Sequence, residues 1–530
     1  MRIIILSLTS LIISLPFFLS SSLIGSPDIF FYVAWSEQFH NALMEGVLYP
    51  RWVDTPFGYG SPTFIFYAPL SFYIISMIHI LIHSHLVSLK IAIYLSFFLS
   101  GLSMYAFARK LNGEYAGLLT GILYQVYPFH VGDLFMRGSI PALFAYVWFP
   151  LVLLFIREIF IKKSFSSMGY MSLAYAGLIM THLVSSYMFT FVMIGYGLYM
   201  FFIEKKKGIL RLICAMILGL GLSSAYFIPV IFERSFIHIE FIKVYNYRDG
   251  FLFLYNIYIR EGFYRFLNTA VITDAVFLVF FLTLLKRKYI EARNTFFVVL
   301  ISVSVFLTTP LSLLIWKYIP YFSTIQFPWR WLIFSGLSVT IIAGSHIVNM
   351  QGKVKKDALL ILLPFLMCSF ASILSVSFIN LDICRISSKI FAPCEYRPIW
   401  VKNYKNELPD ALEVEIIKGE GSEEILDWKS NKRVLSTNGI TPLYLKFSTF
   451  YYPGWECKID DRQCGIMIDK DSGSMVIEVP EGRHIIELFF RDTPPRYYGK
   501  LISIVSLFII AFICLFEINR LNKNKSWGAR

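Results

Sequence analysis

Charge is what this sequence has least of. Asp, Glu, Lys and Arg make up 16% of 530 residues, against 56% hydrophobic and 18% aromatic, too few to cover a water-soluble globule of this size. The mean hydropathy is +0.62, and apolar runs of roughly 17–25 residues recur from end to end. Only helices that satisfy their own backbone cross about 30 Å of hydrocarbon this way, so the chain reads as an α-helical polytopic membrane protein. Cysteine is also scarce, with seven residues and no CxxC pair, which gives no reason to expect a structural zinc site. No single basic face exists either. The net charge of +13 comes in short clusters between apolar runs, which argues against nucleic acid as a partner and makes the clusters topology signals.

Positive residues flank membrane helices on the cytoplasmic side. With Arg2 inside, and clusters such as Arg109-Lys110, Lys205-Lys206-Lys207 and the basic tail inside with it, about twelve spans follow. They run near 3–24, 86–108, 115–131, 140–161, 168–181, 183–203, 209–231, 269–285, 295–315, 331–348, 359–378 and 501–518. The first run reads as an uncleaved anchor in preference to a secretory signal, although Ser20-Ser21-Ser22 offer a cleavage region. The stretch 62–82 is apolar, but counting it would turn most later clusters outward, so it is expected to lie in the interface. These expectations divide the chain into a transmembrane module, 1–379, with a long first outer loop, 25–85; an extracytoplasmic β-rich domain, 380–497; and a last transmembrane helix with a basic tail, 498–530. Both termini are then cytoplasmic, in a plasma-membrane protein.

In the outer C-terminal part, Pro, Gly and charge rise and apolar residues alternate. Strands are predicted at 443–449, 456–459, 465–469, 475–479 and 484–490, joined by turns such as Asp460-Asp461 and Glu481-Gly482, as a small antiparallel β-sandwich. Four cysteines face the oxidising side, and Cys457 with Cys464 plus Cys384 with Cys394 is the favoured pairing of three. An outer stretch rich in tyrosine and arginine, 232–268, reads as an interfacial belt or a substrate surface.

The remaining polar residues gather in the outer loops. Loop one carries Asp28, Glu37, His40, Arg51 and Asp54, loop two carries Asp133 and Arg137, and the spans themselves are nearly free of charge. A transporter would place charge near the midplane, so this distribution favours chemistry at the membrane surface.

Several short motifs resemble a known family. They are Asp28, Pro50-Arg51-Trp52, Gly58-Tyr59-Gly60-Ser61-Pro62, Phe66-Tyr67 with Pro69, Asp133, Arg137-Gly138, Thr181-His182-Leu183, Gln326-Phe327-Pro328-Trp329-Arg330, Tyr452-Pro453-Gly454-Trp455, Gly482-Arg483-His484 and 491–494. Their order and spacing over nearly the whole chain resemble the GT-C superfamily of membrane glycosyltransferases, in the group labelled 6-pyruvoyl-tetrahydropterin synthase-related membrane protein. The label gives no reason to expect pterin chemistry. The chain departs from the pattern at Tyr32, where the family often has histidine, and at Ala142, where a glutamate often follows Arg-Gly.

The resemblance implies a hexosyl- or pentosyltransferase acting on the outer face, from a polyprenyl-phosphate-linked sugar donor to a lipid or envelope glycopolymer acceptor. It implies Asp28 and Asp133 as catalytic residues, Asp28 as general base, or both as ligands of a divalent cation such as magnesium or manganese, and Arg137, Arg330, Arg51, Tyr59 and His182 as substrate contacts. Competing readings stand beside these: Asp133 as a helix cap, Arg137 as a lipid anchor, His182 as a packing residue, Trp329 and Arg330 as interface anchors, and Tyr452, Trp455 and Arg483 as core and turn residues. A non-catalytic scaffold or a lipid or glycan transporter is the alternative function.

Overall fold

A computed structural model describes residues 1–20, 28–54, 58–162, 164–238, 246–252, 262–286, 292–349, 396–402 and 412–527. The expected span 359–378, the Cys384 and Cys394 pair, and Tyr245, Tyr255, Tyr258 and Arg260 of the aromatic stretch lie outside these residues.

The chain is mostly helical, with a β-sheet domain near its C-terminus. Helices α1 (Arg2–Leu19) and α2 (Ile29–Met44) are followed by α3 (Thr63–Phe66), α4 (Leu70–Ile82), α5 (His85–Asn112), α6 (Glu114–Gln125) and α7 (Pro128–Gly132). Then come α8 (Ile140–Lys162), α9 (Phe165–Thr181), α10 (Leu183–Phe202), α11 (Ile209–Leu222), α12 (Ser224–Glu233), α13 (Gly262–Lys286), α14 (Thr295–Leu307), α15 (Leu313–Tyr318) and α16 (Leu332–Asn349), and after the strands the long α17 (Pro494–Trp527). Local chemistry sets several boundaries: Ser84 caps α5 by accepting from the Val87 N–H, Ser164 caps α9, and Gly113 ends α5 with φ +91°.

Among the described residues, six helices are long and apolar enough to cross a membrane, or eight if each of two bent pairs is one span. Three expectations change accordingly. The span expected over 115–131 is broken at Tyr127-Pro128 into α6 and α7, because proline cannot continue the helix's hydrogen bonding. The segment 209–231 bends by 73° between α11 and α12, and that over 295–315 bends by 91° between α14 and the turn leading into α15. Helix α4 has 13 residues, or about 20 Å, too short for the hydrocarbon core. Where the sequence predicts one loop over 25–85, the described part folds as α2, α3 and α4, with α2 packed on α4 and α5.

Nine strands among the described residues form two antiparallel sheets, ordered β1-β4-β8-β7 and β2-β3-β9-β5-β6. They are β1 (Val414–Lys418), β2 (Gly421–Lys429), β3 (Lys432–Gly439), β4 (Leu443–Phe450), β5 (Trp455–Ile459), β6 (Arg462–Cys464), β7 (Met467–Ile468), β8 (Ser474–Val479) and β9 (Gly482–Phe490). Cys457 and Cys464 are register partners across the β5–β6 hairpin, with Cα atoms 5.2 Å apart, and are joined as a disulfide.

Loop one enters this sandwich's core. Trp52 packs on Tyr452, Trp455 and Phe490, and Tyr59 stacks on Phe450. A buried ion pair holds the sandwich's base. Glu233, at the end of α12, accepts from Arg496 of α17 at 2.7 and 2.9 Å, and both side chains are almost fully buried. The Tyr452 and Thr493 hydroxyls complete the carboxylate, and Arg496 also donates to the Pro453 and Arg491 carbonyls. Gly454 is required beside it: its φ is +113°, and a Cβ there would lie 2.6 Å from an Arg496 nitrogen.

Removing one partner of such a pair strands a buried charge. Glu233→Gln is expected to destabilise the protein by about 3–5 kcal/mol, and Glu233→Gln with Arg496→Met to recover part of that loss. Thermal unfolding of the purified variants checks this.

Candidate functional site

Helix α7 runs into a turn of π-helix, Asp133–Arg137, in which the Gly138 N–H reaches back five residues to the Asp133 carbonyl at 2.9 Å. Gly138 ends the turn at φ +66°, a left-handed conformation that glycine adopts without a Cβ penalty. Asp133 and Arg137, four residues apart, share one side of this turn: Arg137 Nη1 donates to Asp133 Oδ1 at 2.9 Å while the Tyr146 hydroxyl of α8 donates to Oδ2 at 2.9 Å. π-Turns of this kind recur at functional sites.

Asp28 meets the same guanidinium from the other side. It stands at the start of α2, its N–H donates to the Arg137 carbonyl at 3.3 Å, and its carboxylate lies 3.8 Å from Arg137 Nε. Exposure differs sharply between the two acids: 39% for the Asp28 side chain and 1% for Asp133. Asp28 is therefore the open edge of the centre and Asp133 its buried floor. Burial pushes the Asp133 carboxyl above the usual carboxylate range, with Arg137 and Tyr146 working against the rise. For Arg137, burial acts to lower the value, but Asp133 and then Asp28 outweigh it, and the guanidinium stays charged.

A second arginine approaches from the segment before α16. Arg330 is 8% exposed, and its Nη1 donates to the Ile325 carbonyl at 2.6 Å while Nε has no hydrogen-bond partner. It makes no ion pair among the described residues, yet it lies within electrostatic reach of Arg137, Asp28 and Asp133. Both guanidinium carbons sit over the Trp329 ring, at 5.4 Å for Arg137 and 5.9 Å for Arg330. Gln326, just upstream, takes φ +66°, a strained backbone that costs on the order of 1–3 kcal/mol.

His182 caps α10, its Nδ1 accepting from the Ser185 N–H at 3.3 Å. Burial, then Arg330 and Arg137, push its imidazole well below the ordinary value, so it stands as a neutral neighbour of the two cations. Tyr32, one turn after Asp28, shares hydrogen bonds with the Tyr67 hydroxyl at 2.6 Å and Ser139 Oγ at 3.2 Å. Burial and Asp28 push its phenol up to about 12, too high for it to stand in for a histidine as a proton acceptor near neutral pH. Ala142 is buried in the first turn of α8 and presents no polar atom.

Asp28, Asp133, Arg137, Arg330 and His182 thus come into one neighbourhood, and two sequence-predicted contacts do not. Arg51 pairs with Asp492 at 2.5 Å and donates to the Ala225 carbonyl, at the base of the sandwich. Tyr59 lies in the sandwich core. Both belong to the attachment of loop one, because the apolar Trp52 between them carries that loop away from the centre. Tyr146 and Ser139 are partners that the sequence did not single out, since a tyrosine in an apolar run looks like any other core aromatic, and Tyr67 stood only in a family motif with no role attached.

For a divalent ion the arrangement does not fit. Asp28 and Asp133 share Arg137 where a metal would have to sit, and no three His, Cys, Asp or Glu side chains converge among the described residues.

These features define a polytopic membrane protein in which acids and arginines from separate segments meet at the ends of its helices. Residues 64–379 match the 6-pyruvoyl-tetrahydropterin synthase related domain, described as a membrane protein, and the chain belongs to that family. The solved structures similar to it include ArnT from Cupriavidus metallidurans bound to undecaprenyl phosphate, at 14% identity and a TM-score of 0.42, covering 67% of this chain and 62% of that one. They also include the Archaeoglobus fulgidus oligosaccharyltransferase in the apo form, at 10% identity and a TM-score of 0.43, covering 75% and 56%. The same enzyme in complex with Zn and sulfate is 14% identical with a TM-score of 0.39, covering 71% and 53%. The chain spans less than two thirds of the length of each. No curated protein matches it.

Because Gly138 ends the π-turn in a left-handed conformation, Gly138→Ala is expected to cost about 1–2 kcal/mol and Gly138→Asn less. Melting temperatures of the two variants against wild type check the order.

Proposed function

We propose that this protein is an integral-membrane glycosyltransferase that moves a sugar from a polyprenyl-phosphate-linked donor to a hydroxyl of a lipid or envelope glycopolymer acceptor on the outer face of the membrane. One observation carries the reading: an exposed carboxylate, Asp28, and a buried arginine without an ion pair among the described residues, Arg330, address the same small centre. A lipid-borne sugar phosphate needs that combination, a cation for the leaving phosphate and a base for the incoming hydroxyl, at the height where the isoprenoid tail leaves the bilayer.

Asp28 accepts the proton of the acceptor hydroxyl as its oxygen attacks the anomeric carbon. The bond between that carbon and the phosphate oxygen breaks, and the polyprenyl phosphate leaves with the electron pair. Arg330, whose Nε donor is unspent, takes the developing charge, and Arg137, held by Asp133, adds a fixed positive field. Arg137 releases Asp28 readily because their contact, at 3.8 Å, is the looser of its two ion pairs. A divalent ion at the two aspartates would require Arg137 to leave its place, so no step is routed through one.

Asp28→Asn tests the reading. With polyprenyl-phosphate sugars and extracted envelope lipids, turnover is expected to fall by about 10²–10⁴-fold while donor binding persists. An Asp28→Asn variant that keeps its full cellular function would favour the scaffold, and absence of transfer by wild type over a broad donor panel would end the proposal.

A further inference from the structure

A polar contact outside the centre joins the helices of the membrane part. Tyr127 is the residue at which the chain leaves α6 and enters α7, ahead of the segment that carries Asp133 and Arg137. Its hydroxyl donates to both carboxyl oxygens of Asp274 in α13, at 2.7 Å each. Its ring lies flush on Gly336 of α16, where an added Cβ would come within 2.0 Å of it. The Ser335 hydroxyl neighbours the same carboxyl. Asp274 is 1% exposed and makes no ion pair among the described residues.

The surroundings make this contact directional. Ala270, Thr273, Asp274 and Phe277 form one face of α13 and, with Tyr127 and Pro128, line a tight, largely apolar crevice. At the other end of α7, Gly132 sits against the Phe266 ring of α13, 2.4 Å from where a Cβ would be. Helix α13 therefore holds α7 at both ends, by a hydroxyl at the start and by a close steric fit at the finish. The fit at Gly132 needs only small size, but the bond at Tyr127 needs an acceptor. A carboxyl in an apolar helix is expensive, and such residues are kept for a specific partner.

We propose that Asp274 is a positioning residue for the Asp28, Arg137 and Asp133 centre. Through the Tyr127 hydroxyl it fixes the entry to the π-turn against α13 and α16, and α16 begins two residues after Arg330. The two arginines, which come from separate parts of the chain, then share one support. The inference rests on the transferase reading for its consequence but not for its geometry.

The test uses the full chain in nanodiscs, with Asp274→Leu, Tyr127→Phe, the conservative Asp274→Asn and the double variant Asp274→Leu with Tyr127→Phe. Hydrogen exchange is read on residues 128–138 and on the strands β4 to β9, and affinity for undecaprenyl phosphate is read separately. Asp274→Leu and Tyr127→Phe are expected to speed exchange of 128–138 by about 10-fold with the strands unchanged. They are also expected to weaken undecaprenyl phosphate binding about 10-fold, the double variant no further than Asp274→Leu alone. Asp274→Asn keeps an acceptor and should stay within about 3-fold of wild type on both readouts. Unchanged exchange at 128–138, or exchange raised equally in the strands, would overturn the positioning role, as would local loosening with unchanged lipid binding. Wild type that binds no undecaprenyl phosphate would instead sink the transferase reading, and the exchange arm would still decide whether Asp274 fixes the segment.

Discussion

The centre depends on one guanidinium answering two acids. Arg137 is mostly buried, and a buried cation is tolerated only with hydrogen-bonded partners of opposite charge. Asp133 supplies the close partner from the same turn and Asp28 the looser one from a different element. The two contacts do different jobs. The first is sealed by Tyr146 and fixes the guanidinium, and the second ties the start of α2 to loop two.

The sandwich obeys a similar constraint at its base. Glu233 reaches from the membrane part into a ring of donors made by Arg496, Tyr452 and Thr493. The Tyr-Pro-Gly-Trp motif is thereby explained without any sugar: Tyr452 donates, Pro453 offers its carbonyl, Gly454 gives Arg496 room, and Trp455 packs on Trp52. Arg433, also buried, completes the hold on loop one by pairing with Asp54 at 2.5 Å, with Trp428 beneath its guanidinium.

Much of this was legible in the residues. The membrane class followed from charge scarcity, and strands β4, β5 and β9 followed from alternation that matches one buried face, while β8 was found although it is buried on both faces. Strands β1, β2, β3 and β6 were not foreseen. In β2, Gly421–Lys429, no residue is buried, so the alternation that signals a strand is absent and backbone pairing with β3 alone defines it. In the membrane part, length misled: 115–131 is mostly apolar, but Pro128 splits it. The acids and arginines of the centre were identifiable because charge is so rare, whereas Arg51 and Tyr59 were drawn in by adjacency to the same motif. Lys90 and Asp274 were passed over, being lone charges inside predicted spans. Lys90 donates to the Ser20 carbonyl at 2.7 Å, and such pairings are set by neighbours from elsewhere in the chain.

The last helix illustrates how narrow a seam can carry a domain. Only 17% of its apolar stretch is buried, and small residues mark where it touches the bundle: Gly499 against the Ser224 carbonyl, Ser506 against Gly221, Cys514 against Gly169. Backbones meet closely along that seam, as they do wherever glycine lines a membrane helix interface. The seam therefore works as a keyway. One residue added just after Arg496 would turn everything beyond it by about 100°, and either the small residues would leave their slots or the arginine would be drawn out of its socket, tilting the sandwich above the bilayer.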